Sequence, residues 1–137
     1  MAKVRWAMVG TGLMADLILR DFPLSENTEL KALVSRDTDR ADQKLAEVGI
    51  SAKSLTFEQA IADSEIDLIY IASPHSEHYW MAKAALEAGK HILVEKSFMN
   101  STAEAEEIYA LAKQKNLFSM EAMWTKFMPL HNEITAQ

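Results

Sequence analysis

A lysine beside a glutamate, at the end of an apolar run, is the first place where this sequence could do chemistry. The run is Ile92-Leu93-Val94-Glu95-Lys96-Ser97-Phe98, which reads as a buried strand ending in two opposite charges. An alcohol that gives up a hydride must also lose its hydroxyl proton. A base, or a cation that steadies an alkoxide, is then needed beside it. Lys96 suits either part. As a base it must be without its proton near neutral pH, which burial and a cationic neighbour favour and Glu95 opposes. Successive strand residues point to opposite faces, so Glu95 need not touch the reacting atoms. A solvated pair at a strand end accounts for the dipeptide equally well on these residues alone.

A second candidate lies near the amino terminus. Gly10-Thr11-Gly12-Leu13-Met14-Ala15 is a G-x-G-x-x-A between an apolar run and a helical stripe. The first glycine permits a tight turn and the second lets the backbone approach a pyrophosphate. The third small residue lets the helix pack closely on the strand. The amides and dipole of the helix N-terminus then favour phosphate. In this setting the loop Gly10, Thr11, Gly12, Leu13, Met14 is a candidate dinucleotide cradle. The next apolar run ends in Val34-Ser35-Arg36-Asp37. An acid roughly 20 positions after such a loop binds the ribose hydroxyl of NAD, whereas a nearby arginine accommodates the 2′-phosphate of NADP. Ser35 holds that place and Arg36 follows, which favours NADP(H). Asp37 keeps NAD(H) possible, although with Thr38 and Asp39 it also suits the start of a helix. A third cluster, Ser73-Pro74-His75-Ser76-Glu77-His78, follows another apolar run. Its two histidines have no evident third partner for a metal. Ser73, Pro74 and His75 are expected to line the nicotinamide side of a crevice, with His78 partly buried against the sheet.

These residues need elements to carry them. Six apolar runs stand out, at 4–9, 29–34, 52–55, 67–72, 91–95 and 117–123. Those at 4–9, 67–72 and 92–94 are nearly continuous, as parallel strands covered on both faces should be. Between them lie helical stripes: Leu13, Met14, Leu17 and Ile18, then Ala41, Leu45 and Val48, then His78, Met81, Ala82, Ala85 and Leu86. A weaker helix is expected over 57–63. Ser73-Pro74 reads as an N-cap with proline in the first helical position. Ser101-Thr102-Ala103-Glu104 reads as a capping box, and Gly49 and Gly89 as C-terminal glycines. Alternating strands and helices imply a doubly wound α/β fold, a mostly parallel sheet in a three-layer α/β/α sandwich. In the order 3-2-1-4-5-6, ligands bind outside the carboxyl ends of the strands, beside the first and fourth.

The bulk numbers set outer limits. A chain of 137 residues fits one domain, and 49% apolar with 25% charged residues suits a soluble globular protein. A net charge of −6 is not the basic footprint of a nucleic-acid binder. The absence of cysteine leaves no disulfide framework and no thiolate metal site, which is compatible with the cytoplasm. Lys3 and Arg5 precede an apolar stretch, but Gly10 and Gly12 interrupt it, and no secretory signal is expected. No apolar run approaches the roughly 20 residues that span a bilayer.

Taken together, "GTGLMA" (10–15), "SRD" (35–37), "ASPHSEHYWMAKAALEAGKHILVEKS" (72–97) and "EAMWTKFMP" (121–129) resemble the Gfo/Idh/MocA family of NAD(P)-dependent sugar, polyol and dihydrodiol oxidoreductases. The last stretch looks most like the branch with the dihydrodiol dehydrogenases and glucose–fructose oxidoreductase. The resemblance implies a catalytic part for Lys96, which matches the lysine of a Glu-Lys-Pro motif. It implies that Glu95 and Trp124 stand near the cofactor or substrate, Trp124 as a wall, although packing explains that tryptophan at least as well. Three positions depart from the pattern. Ser97 replaces the motif's proline, His75 stands where asparagine is often found, and Lys126 where that branch commonly has arginine. The resemblance also implies a division of the chain. Residues 1–122 would be the dinucleotide-binding domain and 123–137 the start of a linker helix. That helix would lead to an α+β domain supplying most of the substrate pocket and the homo-oligomer surface. A non-catalytic NAD(P) sensor or regulatory module, which would keep the glycine loop without needing Lys96, is the alternative.

Overall fold

Continuous apolar runs bounded by turn residues become the strands of a single sheet. The computed structural model describes residues 3–136. Residues 1, 2 and 137, the outer ends of the two expected segments, lie outside them. The strands are β1 (Val4–Val9), β2 (Thr28–Val34), β3 (Lys53–Leu55), β4 (Leu68–Ile71), β5 (His91–Glu95) and β6 (Ser119–Ala122). All neighbours pair in parallel, in the order β3-β2-β1-β4-β5-β6. The sheet is therefore the doubly wound one expected, with its switch point between β1 and β4.

The helices are α1 (Leu13–Asp21), α2 (Thr38–Val48), α3 (Phe57–Ala62), α4 (His75–Glu87), α5 (Thr102–Gln114) and α6 (Pro129–Thr135). Short 3-10 turns follow α1 and β6, at Phe22–Leu24 and Trp124–Phe127. Strand alternation sorts the core into two layers. Ala7, Val9, Ala32, Val34, Ile69, Ile71, Ile92 and Val94 meet the buried faces of α3, α4 and α5. Met8, Leu33, Leu68 and Tyr70 meet Ala15 and Leu19 of α1 and Ala41 and Leu45 of α2.

Several details differ from expectation, each for a local reason. The last strand begins only at Ser119. The Leu117 amide instead closes α5 on Ala112, and the Phe118 amide donates to the His91 ring. In α1 the large stripe is not the core face. Ala15 and Leu19 are buried, whereas Leu13 is 73% exposed and Met14, Leu17 and Ile18 face an open groove. Pro74, not Ser73, is the N-cap of α4, and the Ser73 hydroxyl makes no cap bond. Ser101 caps α5 by accepting from the Glu104 amide, but Glu104 reaches back to Asn100 and not to its cap residue. A reciprocal box does form at Thr56 and Gln59, which fixes the short helix α3. Asp37 caps α2 by accepting from the Arg40 amide at 3.2 Å.

Candidate functional site

The carboxyl edge of the sheet collects most of the candidate residues. The Gly10 amide donates to the Val34 carbonyl at 3.0 Å, and the Ala72 amide donates to the Val9 carbonyl at 3.0 Å. The ends of β1, β2 and β4 are thus stitched together just where the order reverses. Gly10 sits at φ +111, and a Cβ there would lie 2.7 Å from the Ala72 carbonyl oxygen. Only glycine fits, both for the turn and for the approach to β4. Gly12 caps α1 without a side-chain bond, and a Cβ on it would meet nothing within 4 Å. That open space, together with first-turn amides that have no intrahelical acceptor, is what a diphosphate needs. Ala15 is buried beneath the loop, as close helix–strand packing requires. The chain thus has the cradle that a dinucleotide fits.

Ser35 and Arg36 follow β2 on the same edge. Ser35 Oγ accepts from the Asp37 amide at 3.1 Å. Asp37 is spent on the helix cap, while the Arg36 guanidinium is exposed with no ion pair or hydrogen bond among the described residues. Ser73, after β4, keeps a buried hydroxyl without a protein partner. Lys96, after β5, is exposed, and its ammonium likewise has no partner among the described residues. Because Ile71 pairs with Val94, residues just past β4 and just past β5 lie level with one another.

The loop that carries Lys96 is held in an unusual way. Six backbone groups run from the Lys96 amide to the Phe98 carbonyl, and side chains meet every one. Glu95 Oε2 accepts from the Lys96 amide at 3.3 Å. His75 Nε2 stands 2.9 Å from the Lys96 carbonyl and 3.2 Å from the Ser97 amide. His78 Nδ1 lies 3.1 Å from the Ser97 carbonyl and 3.3 Å from that of Phe98. Glu121 Oε1, from β6, accepts from the Phe98 amide at 2.9 Å. His78 also presents Nε2 to the Ser73 carbonyl at 3.0 Å, so one ring ties the loop after β4 to the loop after β5. The two rings meet edge to face at 5.2 Å.

Four expected ligand contacts fall elsewhere. His78 is wholly buried rather than partly so, and it braces the crevice from behind instead of lining it. Glu95 is buried on the other face of the sheet, where its carboxylate accepts from the Tyr70 hydroxyl. Burial, and then the Glu95 carboxylate, push the Tyr70 phenol well above its ordinary range, so Tyr70 remains the donor. Met14, Glu95 and the 71% exposed Trp124 line an apolar groove of about 660 Å³, with Leu17, Tyr70, Leu93 and Phe127. Lys126 is exposed in the turn that carries Trp124. Sequence reasoning missed Glu121 and Tyr70. A lone acid in the otherwise apolar "LFSMEAM" was a usable signal, whereas a tyrosine inside "DLIYIA" looks like any core residue.

Comparison with known proteins agrees with this geometry. The Gfo/Idh/MocA family model, described as an oxidoreductase family with an NAD-binding Rossmann fold, matches residues 4–122. The D-xylose 1-dehydrogenase (NADP(+)) of Hypocrea jecorina is 33% identical over 96% of this chain and 37% of its own length. The trans-1,2-dihydrobenzene-1,2-diol dehydrogenase of Mus musculus is 33% identical over 92% of this chain and 38% of its own. A crystal structure of KijD10, a 3-ketoreductase from Actinomadura kijaniata in complex with TDP-benzene and NADP, superposes with a TM-score of 0.90. It is 26% identical, and the match covers 98% of this chain and 42% of that one. The chain thus spans about two-fifths of the length of the proteins it matches. Glycine loop, strand order and family match converge, and the chain belongs to the Gfo/Idh/MocA oxidoreductase family, of which it forms the NAD-binding Rossmann fold.

Proposed function

We propose that this chain is the nucleotide-binding part of an oxidoreductase that prefers NADP(H) and interconverts a hydroxyl and a carbonyl of a small sugar, polyol or diol. One observation carries the reading: a glycine cradle, an unpaired arginine and an unpaired lysine share the carboxyl edge of the sheet at its switch point. Residues 1–122 form the nucleotide-binding unit, and 123–137 lead towards the part that completes the substrate pocket.

Gly10, Thr11, Gly12 and the first turn of α1 would hold the diphosphate, and Arg36 would clamp the 2′-phosphate. A guanidinium pairs with a phosphate monoester through two parallel hydrogen bonds, and neutral Ser35 does not repel it. Ser73, Pro74 and His75 would border the nicotinamide, which supplies the hydride donor or acceptor when bound. Lys96 holds or moves the proton at the substrate oxygen. Glu95, engaged by Tyr70, does not neutralise that ammonium directly. The acidic balance and the lack of cysteine support a cytoplasmic protein whose partners are neither nucleic acid nor membrane. The family resemblance supports a homo-oligomer.

Two measurements test this. Fluorescence titration should give NADPH at least ten-fold tighter than NADH, worth about 1.4 kcal/mol. A preference for NADH would refute the part given to Arg36. In the protein that carries this chain, Lys96→Ala should lower kcat by about 100-fold or more, with the NADPH Kd nearly unchanged. Unchanged turnover would remove Lys96 from the chemistry.

A further inference from the structure

We infer that His75 and Ser97 form a matched pair that positions Lys96. This rests on the reading of Lys96 above, and it assigns a purpose to two of the three departures from the family pattern. His75 Nε2 faces both ends of the peptide unit that joins Lys96 to Ser97, the carbonyl at 2.9 Å and the amide at 3.2 Å. A ring nitrogen serves one of them at a time. Protonated, it donates to the Lys96 carbonyl; bare, it accepts the Ser97 amide hydrogen. Either way the imidazole grips the peptide next to the residue that carries the amine. The His75 carbonyl is itself held, accepting from Asn100 Nδ2 at 3.2 Å, so the start of α4 and the loop before α5 are tied together.

Serine is what makes the second grip possible, because a proline nitrogen carries no hydrogen. Proline would also collide with the histidine. Its Cδ would extend about 1.5 Å from the nitrogen along the former N–H direction, towards a ring nitrogen only 3.2 Å from that atom. A histidine at 75 placed as here therefore excludes proline at 97. A shorter residue at 75 with serine at 97 leaves the amide without its acceptor. The two positions are coupled by contact, so their substitutions should not act independently. His75 is a positioning residue here: it acts on Lys96 through the backbone.

The test is a double-mutant cycle in the protein that carries this chain, with Ser97→Pro, His75→Asn and both together. kcat, the NADPH Kd and the thermal midpoint are read for each. Ser97→Pro alone should lower kcat about ten-fold or more and lower the midpoint, with NADPH affinity within about three-fold of the parent. Adding His75→Asn should restore both, giving a double variant faster and more heat-resistant than Ser97→Pro. Effects that simply multiply in kcat and add in midpoint would overturn the pairing, as would a Ser97→Pro variant indistinguishable from the parent. If Lys96→Ala leaves turnover unchanged while the midpoints still show the rescue, the pairing stands and the catalytic reading of Lys96 falls.

Discussion

The two edges of this sheet use their cations in opposite ways. At the amino edge, Arg5 donates to Asp67 through Nε at 2.9 Å and Nη2 at 2.6 Å, and Lys53 bonds Asp63 at 2.8 Å. Buried Lys90 donates to the carbonyls of Asp63 and Ile66 at 2.7 and 2.8 Å. At the carboxyl edge, Arg36 and Lys96 have no side-chain partner among the described residues. Both edges are built from parallel strand ends, so the strands do not cause the difference. A charge paired within the fold contributes stability, and a charge left open has to be matched by something outside it. The contrast therefore separates the residues that maintain the domain from those reserved for a ligand.

Substitution on each edge should break that contrast in falling order of stability loss. Lys90→Ala leaves two carbonyls without a donor and should cost about 2–3 kcal/mol by chemical denaturation, with NADPH affinity unchanged in the folded fraction. A comparable loss of NADPH affinity would mean that the amino edge is not merely structural. Asp67→Asn should cost less, about 1 kcal/mol at neutral pH, because roughly a third of each partner is exposed and water screens the pair. The Arg5 guanidinium holds the Asp67 carboxyl at about 2, below its ordinary value. That stabilisation is present above the unfolded value and fades as pH falls through about 2. The gap between Asp67→Asn and the parent should thus close on acidification. Arg36→Ala should change stability by less than about 0.5 kcal/mol. It should still weaken NADPH about ten-fold or more and NADH hardly at all. If it unfolds the protein instead, the distinction between the edges is lost.

How much of this was legible in advance depends on the length scale of each signal. Strand order and helix placement follow from periodicity and turn residues, which act over a few positions, and "GTGLMA" is read by its setting between strand and helix. The cap of α2 at Asp37 was likewise local. Residues whose roles depend on long-range partners were harder. Arg5 meets Asp67 across 62 positions and Tyr70 meets Glu95 across 25. No spacing rule joins them. His78 was placed against the sheet, but its use as a tie between two loops required knowing that β4 and β5 are neighbours in register. The α1 stripe misled for a different reason: large apolar residues at helical spacing show a face, without showing whether anything covers it.

The way the Lys96 loop is held has a consequence for how the sequence can vary. Where strands exchange main-chain hydrogen bonds, almost any residue supplies them, so such contacts impose little on side-chain identity. From Lys96 to Phe98 the bonds come from His75, His78, Glu95 and Glu121. The heading of one amine is therefore written in the identities of residues on α4, β5 and β6, three of which lie more than fifteen positions from it. A library randomised at 75, 78 and 121 would sample different aims for Lys96 on an unchanged sheet. Such changes offer a route by which the same scaffold could be turned towards differently placed substrate oxygens without touching the lysine itself.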